Sequence, residues 1–589
     1  MRIAAPRRLL AAAARLRTFV RSSELSLVAV AVVVGALAGL GAIAMTRIAE
    51  GAHVAIYGIP FDVRLSAAAR ISPLAAFAAP ALGGLAIGLI ERWRRARKLP
   101  PAVDPIEANA LRGGRMAMGE SALVAAQTVL SNGCGASVGL EAGYAQIGAA
   151  IASRIGLMLR LRRQDLRILV GCGAGAAIAA AFGAPLTGAF YASELIVGAY
   201  SLANAGPILA AALAANLIVK ALGGAPYVVV APPVAPLAVG HHLALVGLGL
   251  ASAALGVGAM RAAAVLERAF AATGAPPWAR PVLGGLLVGA MALETPQVLG
   301  AGHGALGLDF PLALSAATLV ALIGLKLTAS LVSLASGFRG GLFFCSLFVG
   351  ALVGKLYALG VAAALPTLAL DATACVLAGM ATLGVAVVGG PLTMTFLVLE
   401  STGDLGVAGG VLAACIAASL AVRATFGYSF ATWRLHLRGE SIRGAQDVGW
   451  LRDLTVARLM APARTTPAEA TLRAFRAAHP LGSAHVVVAV DPAGRYRGLV
   501  LVAEAHAIPL ADDEDGGPIS AAARLPGTSL HPDVDVRSAL AIFDAAEADT
   551  LAVTERETGL VLGLLSEAFA ARRYAQELNL AARGALGGG

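Results

Sequence analysis

Two uncharged apolar runs, residues 27–45 and 73–90, are each long enough to cross the hydrocarbon core of a bilayer as a helix. The whole chain is 58% hydrophobic and 14% charged, with a mean hydropathy of +0.78, which is more apolar sequence than one soluble core needs. Later apolar stretches are shorter and are interrupted by Gly and Pro. These features predict an all-α polytopic membrane protein that contains broken helices.

Basic residues indicate how this protein is oriented in the membrane. Six arginines precede the first apolar run without a signal-peptide cleavage pattern, and a second basic segment, residues 92–98, follows the second run. Because cytoplasmic segments carry an excess of Lys and Arg, we expect the amino terminus to be cytoplasmic. The Ala-, Arg- and Gly-rich composition favours a bacterial inner membrane.

The charge is unevenly divided along the chain. Residues 1–440 contain 31 Lys and Arg against 17 Asp and Glu, whereas residues 441–589 contain 14 against 18. The basic excess therefore belongs to the apolar region, and no basic face with interleaved aromatic residues accompanies it. We expect anionic membrane lipid, and no nucleic acid, as its partner.

The apolar region contains an internal repeat. The segment that ends in Glu194 matches the segment that ends in Glu400, with Pro, Leu, Thr, Phe and Glu in register. A similar offset places Glu141 opposite Phe343. We expect two repeats, at approximately 24–222 and 240–438. Interrupted helices in such repeats can direct free N–H groups and positive dipole ends at an anion near the middle of the membrane.

Glu141 is an ionisable residue in a glycine-rich apolar segment, residues 131–148. An ionised carboxylate at bilayer depth is costly, so it must face a polar cavity, find a partner or bind a proton. Each of these possibilities implies a route for ions or protons. The simpler alternative is a carboxylate at a helix end that is capped by neighbouring N–H groups.

Three ordered segments resemble those of the CLC family of chloride channels and proton-coupled anion exchangers. Residues 139–143 resemble the family's Gly-Arg/Lys-Glu-Gly-Pro segment, residues 336–345 its Gly-x-Phe-x-Pro segment, and residues 182–194 the stretch that ends in the internal proton-transfer glutamate. The resemblance implies that the two repeats are inverted and that the protein is a homodimer with a pore in each subunit. It assigns gating to Glu141, a proton relay to Glu194, and the anion pathway to Gly139, Leu140, Ala142, Gly341, Leu342, Phe343 and Phe344.

The residues themselves leave simpler roles open. Glu194 is otherwise a buried acid paired with a basic residue, and Phe343 is otherwise an aromatic residue of the core. Glu400, the repeat mate of Glu194, is expected to have a structural role. Lys326 lies in an apolar segment, and we expect its side chain to extend to the membrane interface.

Two positions depart from the family pattern at the central anion site. The family's Gly-Ser-Gly-Ile-Pro segment matches residues 101–105, which puts Ala102 at the position of the serine. The tyrosine of the closing helix falls on Ala431. Because both hydroxyl groups are missing, we expect backbone N–H groups to carry more of the anion coordination. These departures do not identify the preferred anion.

The sequence after residue 440 reads as a soluble region with two similar units. Each unit has a short helix, an extended apolar run, a Gly and a second helix, and together they resemble a tandem CBS pair. We expect a small cytoplasmic α/β domain with a linker at 441–452, CBS motifs at 453–510 and 517–576, and a flexible tail at 577–589. Such pairs bind adenine nucleotides, and the acid that holds the ribose falls on Glu504 in the first unit but on Phe569 in the second. A role in assembly is the alternative.

These features together predict a transporter that is not an enzyme, requires no cofactor and contains no metal. We expect it to exchange chloride, or a similar small monovalent anion, for protons. A passive, voltage- or proton-gated anion channel is the main alternative. A membrane sensor that signals through its CBS pair without transport is a second, and divalent-cation transport lacks the clustered acidic oxygens that it requires.

Overall fold

The computed structural model describes residues 24–224, 226–227, 232–430, 432–433, 454–510 and 515–574. The chain divides into two compact units, Met1–Asp447 and Val448–Gly589, with a boundary inside the predicted linker. That linker, the predicted tail at 577–589 and the arginines before residue 24 lie outside the described residues.

The described part of the first unit is built of α-helices and short 3₁₀ or π segments. In the first repeat they are α1 (Glu24–Tyr57), α2 (Pro73–Ala96), α3 (Pro105–Leu111), α4 (Met118–Gly133), α5 (Glu141–Met158), α6 (Arg163–Phe182), α7 (Pro185–Tyr191), a π segment (Ala192–Val197) and α8 (Leu202–Ala221). In the second they are α9 (Val239–Ala272), α10 (Arg280–Glu294), α11 (His303–Asp309), α12 (Ala316–Ser336), α13 (Phe343–Ala364), α14 (Ala372–Val388), α15 (Pro391–Thr402) and α16 (Leu405–Thr425). The 3₁₀ segments are Leu65–Ala67, Pro296–Val298 and Pro366–Leu368.

Eight helices in the described part of the chain are long and apolar enough to cross a membrane. They are α1, α2, α6, α8, α9, α12, α13 and α16. Shorter helices lie between them in the chain. The prediction of an all-α polytopic membrane region with broken helices is confirmed.

Glycines set two helix crossings that are related by the repeat. A Cβ atom on Gly148 of α5 would lie 2.2 Å from the carbonyl oxygen of Gly173 on α6, and one on Gly173 would lie 2.1 Å from that of Gly148. Gly350 on α13 and Gly379 on α14 make the same reciprocal approach, at 2.3 Å in both directions. Both crossings thus bring two helix backbones into direct contact, which only small residues permit.

The substitution Gly148→Ala should destabilise the first unit, because the new methyl group must displace the backbone of α6. We expect a loss of roughly 3 kcal/mol, at the upper end for overpacked cores. Thermal unfolding of the detergent-solubilised protein measures it. Gly258→Ala is the matched control, since nothing lies within 4 Å of a Cβ atom at that position on α9. Equal unfolding temperatures for the two variants would contradict the close crossing.

The second unit combines short helices with two small sheets. Strand β2 (Val486–Val490) pairs in parallel with β1 (Thr465–Pro467) and antiparallel with β3 (Tyr496–Leu501), and β4 (Thr550–Thr554) pairs antiparallel with β5 (Val561–Ser566). The helices are α17 (Val456–Leu459), α18 (Leu472–Ala478), α19 (Val502–Ala507) and α20 (Val536–Ala546), with a 3₁₀ segment at Ile519–Ala522. The strands β2 and β4 are buried, as their continuous apolar runs predict. The prediction of a small α/β region is confirmed.

Candidate ion pathway

A cavity of about 170 Å³ lies where several helices of the first unit begin or end. Helices α3, α5 and α13 begin at its wall, and α14 ends there. The first N–H groups of a helix have no partner within that helix, and its amino end carries a partial positive charge. The cavity is therefore suited to an anion. Its lining consists of Asp104, Pro105, Ile106, Glu141, Ala142, Ala145, Tyr191, Leu195, Ile196, Gly340, Gly341, Leu342, Phe343, Val387, Val388 and Phe430.

Glu141 is the first residue of α5 and one of two carboxylates on this lining. Glu141 is only 3% exposed, and no hydrogen bond from another described residue reaches either of its carboxylate oxygens. Its side chain lies against the backbone of Gly139, where an added Cβ atom would be 1.8 Å from the oxygen Oε2. A buried carboxylate without hydrogen bonds is costly when ionised. This position therefore favours a group that binds and releases a proton.

The two repeats meet beside this carboxylate. Gly139 and Gly341 form an isolated antiparallel bridge, in which each N–H group donates to the other's carbonyl oxygen, at 2.9 and 3.1 Å. These are the residues that the sequence repeat placed in register. A Cβ atom on Gly341 would lie no closer than 3.4 Å to its nearest neighbour, Ala142, and 3.8 Å from Oε2 of Glu141. The two related glycines therefore differ in how closely the carboxylate approaches them.

Four residues of the predicted anion pathway line the cavity, and three others do not. Among the described residues the lining includes Ala142, Gly341, Leu342 and Phe343. The remaining three, Gly139, Leu140 and Phe344, are not on this lining, and their role in the pathway stays a prediction. Gly139 supports the Glu141 carboxylate, Leu140 is buried in the core at 1% exposure, and Phe344 contacts His303.

Ala102 is not on this lining either. Ala102 lines a neighbouring cavity of about 620 Å³, not the one that contains Glu141. Asp104, which lines both cavities, accepts a hydrogen bond from the N–H group of Ile106 at 2.8 Å and caps α3. The helix thus begins three residues after the position matched to the family serine. Ala431 lies outside the described residues, and its neighbour Phe430 lines the cavity.

Glu194 and Glu400 each cap a helix of the other repeat. Glu194 accepts hydrogen bonds from the N–H group of Leu392 at 3.0 Å and from the N–H and hydroxyl groups of Thr393 at 2.8 and 2.6 Å. Glu400 accepts the matching bonds from Thr187, at 2.8 and 2.7 Å. Carboxylates at helix amino ends are stabilised by the free N–H groups and the dipole. The two glutamates therefore make equivalent helix-capping bonds.

Two buried residues near the pathway were missed or misplaced by the sequence reasoning. His303 begins α11, and its Nε2 atom is 3.5 Å from Oε1 of Glu141. Lys326 does not extend to the interface but is 1% exposed, because its ammonium group donates to Ser137 Oγ and to two backbone carbonyl oxygens. For His303 the only sequence signal was its place next to a Gly-rich turn. For Lys326 it was the isolation of a lysine in an apolar segment.

In the second unit, Glu504 lies on α19 and is half exposed. Its carboxylate is paired with the guanidinium group of Arg524 at 2.7 Å. Phe569, at the corresponding position of the second motif, is 37% exposed, with the guanidinium group of Arg572 5.6 Å from its ring centroid. A ligand that approached either position would thus meet an arginine as well.

The fold and this site together define a membrane protein with a buried carboxylate in a cavity at several helix starts, and comparison with known proteins specifies its class. Residues 82–423 match the family described as "Voltage gated chloride channel". A putative chloride channel protein, ClcB-like, of Ralstonia nicotianae is 33% identical over 373 residues, which are 62% of this chain and 86% of that protein. The chain belongs to this family, the CLC family, whose members are channels and transporters.

Solved structures show the same fold at lower identity. A slow cyanobacterial Cl⁻/H⁺ antiporter is similar with a TM-score of 0.61 at 21% identity, over 70% of this chain and 97% of that one. A eukaryotic CLC transporter is similar with a TM-score of 0.57 at 18% identity, over 92% of this chain and 98% of that one. The CLC fold predicted from the three sequence segments is confirmed.

Proposed function

We propose that this protein carries chloride, or a similar small monovalent anion, across a membrane in exchange for protons. The observation that carries the proposal is the buried Glu141 carboxylate at the meeting point of the two repeats, on the wall of a cavity at the helix starts. Relatives named as chloride channels and a fold neighbour named as a Cl⁻/H⁺ antiporter support the same substrates.

In the proposed cycle, the Glu141 carboxylate competes with the transported anion. When it is ionised, its negative charge occupies the positive end of α5 and repels an anion in the cavity. When it binds a proton, the repulsion is lost and an anion can enter. One group thereby links anion movement to proton movement, and the side chain returns when the proton leaves.

Backbone groups would hold the anion in this cycle. Apart from Tyr191, no residue of the described cavity lining carries a hydroxyl group. The N–H groups at the starts of α5 and α13, which contain 18 and 22 residues, remain as donors. Competition between chloride, bromide, nitrate and fluoride in a flux assay would identify the preferred anion.

The lack of hydroxyl groups also favours a second candidate, a passive anion channel in which Glu141 only gates. Liposomes that contain the purified protein and an imposed chloride gradient separate the two. An exchanger drives protons against their own gradient, whereas a channel cannot. Chloride flux without uphill proton movement would establish the channel and exclude exchange.

Glu194 is proposed to receive protons from the cytoplasmic side. The substitution Glu194→Gln should remove proton flux and spare anion flux, because an amide cannot bind and release a proton. We expect a decrease of about 100-fold in proton flux, as for loss of an acid–base group. Parallel recordings of pH and chloride in the liposome assay measure both fluxes.

Glu400→Gln is the control for this assignment. It weakens the same type of helix cap at the repeat-related position, so a purely structural effect should appear in both variants. If Glu194→Gln and Glu400→Gln reduce proton flux equally, the relay assignment fails and both glutamates are helix caps alone.

For the second unit we propose a cytoplasmic CBS pair that contributes to regulation or to assembly of a homodimer. The two β–α units support this proposal, and Glu504 is the candidate ribose-binding residue. Equilibrium binding of ATP and AMP to the full-length protein tests the nucleotide site. Glu504→Gln should weaken binding by about tenfold, in line with 1.5–3 kcal/mol for a charge-assisted hydrogen bond.

A further inference from the structure

His303 occupies an unusual environment for a histidine. Its ring lies between Tyr227 and Phe344, with centroid distances of 3.6 and 3.7 Å. Its side chain is 10% exposed, and Nε2 has no hydrogen-bond partner among the described residues. The nearest acidic group is Glu141, whose Oε1 atom is 3.5 Å from Nε2. Two polar groups that both lack hydrogen bonds thus face each other.

The backbone holds this ring in place. Gly302 precedes α11 with a φ of 99°, a left-handed conformation that favours glycine. The next N–H groups, of Gly304 and Ala305, donate to Ser66 Oγ at 3.0 and 3.2 Å. Ser66 belongs to the segment between α1 and α2, so the start of α11 is attached to that segment.

This attachment places His303 toward one side of the membrane. Helices α1 and α2 are consecutive candidate spans, so the segment between them and the segment after α2 lie on opposite sides. His303 is attached to the first of these segments, and Asp104 of the cavity lies in the second. With a cytoplasmic amino terminus, His303 lies on the outer side of Glu141.

Several charged or titratable groups surround the ring. Arg64 lies 4.4 Å from the centroid of Tyr227 and pairs with Glu50 of α1. Lys326 of α12 and His53 of α1 also act on His303 electrostatically. On α5, Tyr144 is hydrogen-bonded to Thr46 Oγ1 at 2.6 Å. Burial disfavours a charged imidazolium, and the nearby cations Arg64 and Lys326 repel it, so both effects favour release of its proton to a nearby carboxylate.

We propose that His303 transfers protons between the outer solution and the gating carboxylate Glu141. The proton on Nε2 of the imidazolium moves to Oε1 of the carboxylate, which leaves a neutral imidazole and a neutral carboxyl group. The reverse transfer returns the proton outward. This inference rests on the proposed function, since it concerns the proton that the exchange cycle moves.

Three substitutions at His303 test the transfer in liposomes that contain the full-length protein. His303→Phe keeps an aromatic ring between Tyr227 and Phe344 but removes both nitrogen atoms, and His303→Gln keeps a polar group that cannot carry a proton. Each should lower chloride-driven proton flux by at least about tenfold and flatten its dependence on outer pH. His303→Ala leaves space for a small molecule, so added imidazole should restore proton flux in this variant and not in His303→Phe.

His241→Phe is the matched control, because His241 of α9 is a second histidine of the first unit, bonded to the carbonyl oxygen of Leu368 rather than facing Glu141. It should keep the normal proton flux and pH profile. Unchanged proton flux in His303→Phe would overturn the inference alone, as would a loss in His303→Ala that imidazole does not restore. Absence of coupled proton flux in the unmodified protein would overturn the proposed function and this inference with it.

Discussion

Glu141→Gln should abolish proton coupling while chloride continues to cross the membrane. The amide has nearly the same shape as the carboxyl group, but it neither carries a negative charge nor releases a proton. Chloride therefore no longer competes with a charged side chain for the positive end of α5. We expect chloride-driven proton flux to decrease by about 100-fold or more, as for loss of an acid–base group. Simultaneous recordings of pH and chloride in liposomes measure this change.

The control for this experiment is a buried carboxylate away from the cavity. Glu107 is 9% exposed and pairs with Arg112 at 2.8 Å, and it is not among the lining residues. Glu107→Gln should leave the ratio of chloride to proton flux unchanged. If Glu141→Gln kept a normal ratio of chloride to proton flux, Glu141 would not be the gate. The proposed cycle would then be wrong.

Gly139→Ala should open the gate without any change of charge. A Cβ atom at this position would lie 1.8 Å from Oε2 of Glu141, closer than real atoms approach, so the carboxylate must leave its present position. Unlike the amide in Glu141→Gln, the displaced carboxylate still binds and releases a proton. We expect chloride flux to become less dependent on pH, with an increase of about tenfold at neutral pH, which corresponds to 1.4 kcal/mol.

Gly341→Ala is the natural comparison, since it adds the same methyl group at the other half of the glycine pair. Its nearest neighbour would be 3.4 Å away, an ordinary contact, and the carboxylate is farther still. Because the carboxylate keeps its position, we expect this variant to keep the normal pH dependence, although its methyl group narrows the cavity that Gly341 lines. If both variants behaved alike, displacement of the carboxylate would not be the cause, and the glycine bridge itself would be responsible.

Together the two experiments separate the charge of the gate from its position. Glu141→Gln changes the charge and leaves the backbone surroundings, whereas Gly139→Ala moves the side chain and leaves the charge. An exchange mechanism in which one carboxylate both excludes the anion and carries the proton requires both substitutions to alter coupling.

Much of the architecture could be predicted from the sequence. The two apolar runs correspond to α1 and α2, and the interrupted stretches to the short helices α3, α7 and α11. The repeat was also readable, because residues such as Gly139 and Gly341 stand in the same local motif. The structure adds that these two residues bond to each other. Their contact follows from how the repeats pack and has no local signal.

The contacts of individual side chains were harder to predict. Glu194 is bonded to Thr393, a residue of the other repeat, so its capping role required knowledge of which helices meet. Lys326 was expected at the interface, but its side chain points from α12 into the protein. There its ammonium group donates hydrogen bonds to three acceptors. Ala102 was assigned from a motif match, and the start of α3 three residues later put Asp104 beside the cavity instead.

The sequence by itself determined the class of this protein: a membrane-embedded chain of two repeats with a glutamate among glycines, followed by a small α/β region. Length, hydropathy and local motifs encode these features, because each depends on residues that are near one another in the chain. Only the tertiary structure placed His303 against Glu141 and joined the helix caps across the repeats. Those contacts depend on the angles at which helices cross, which many distant residues decide together.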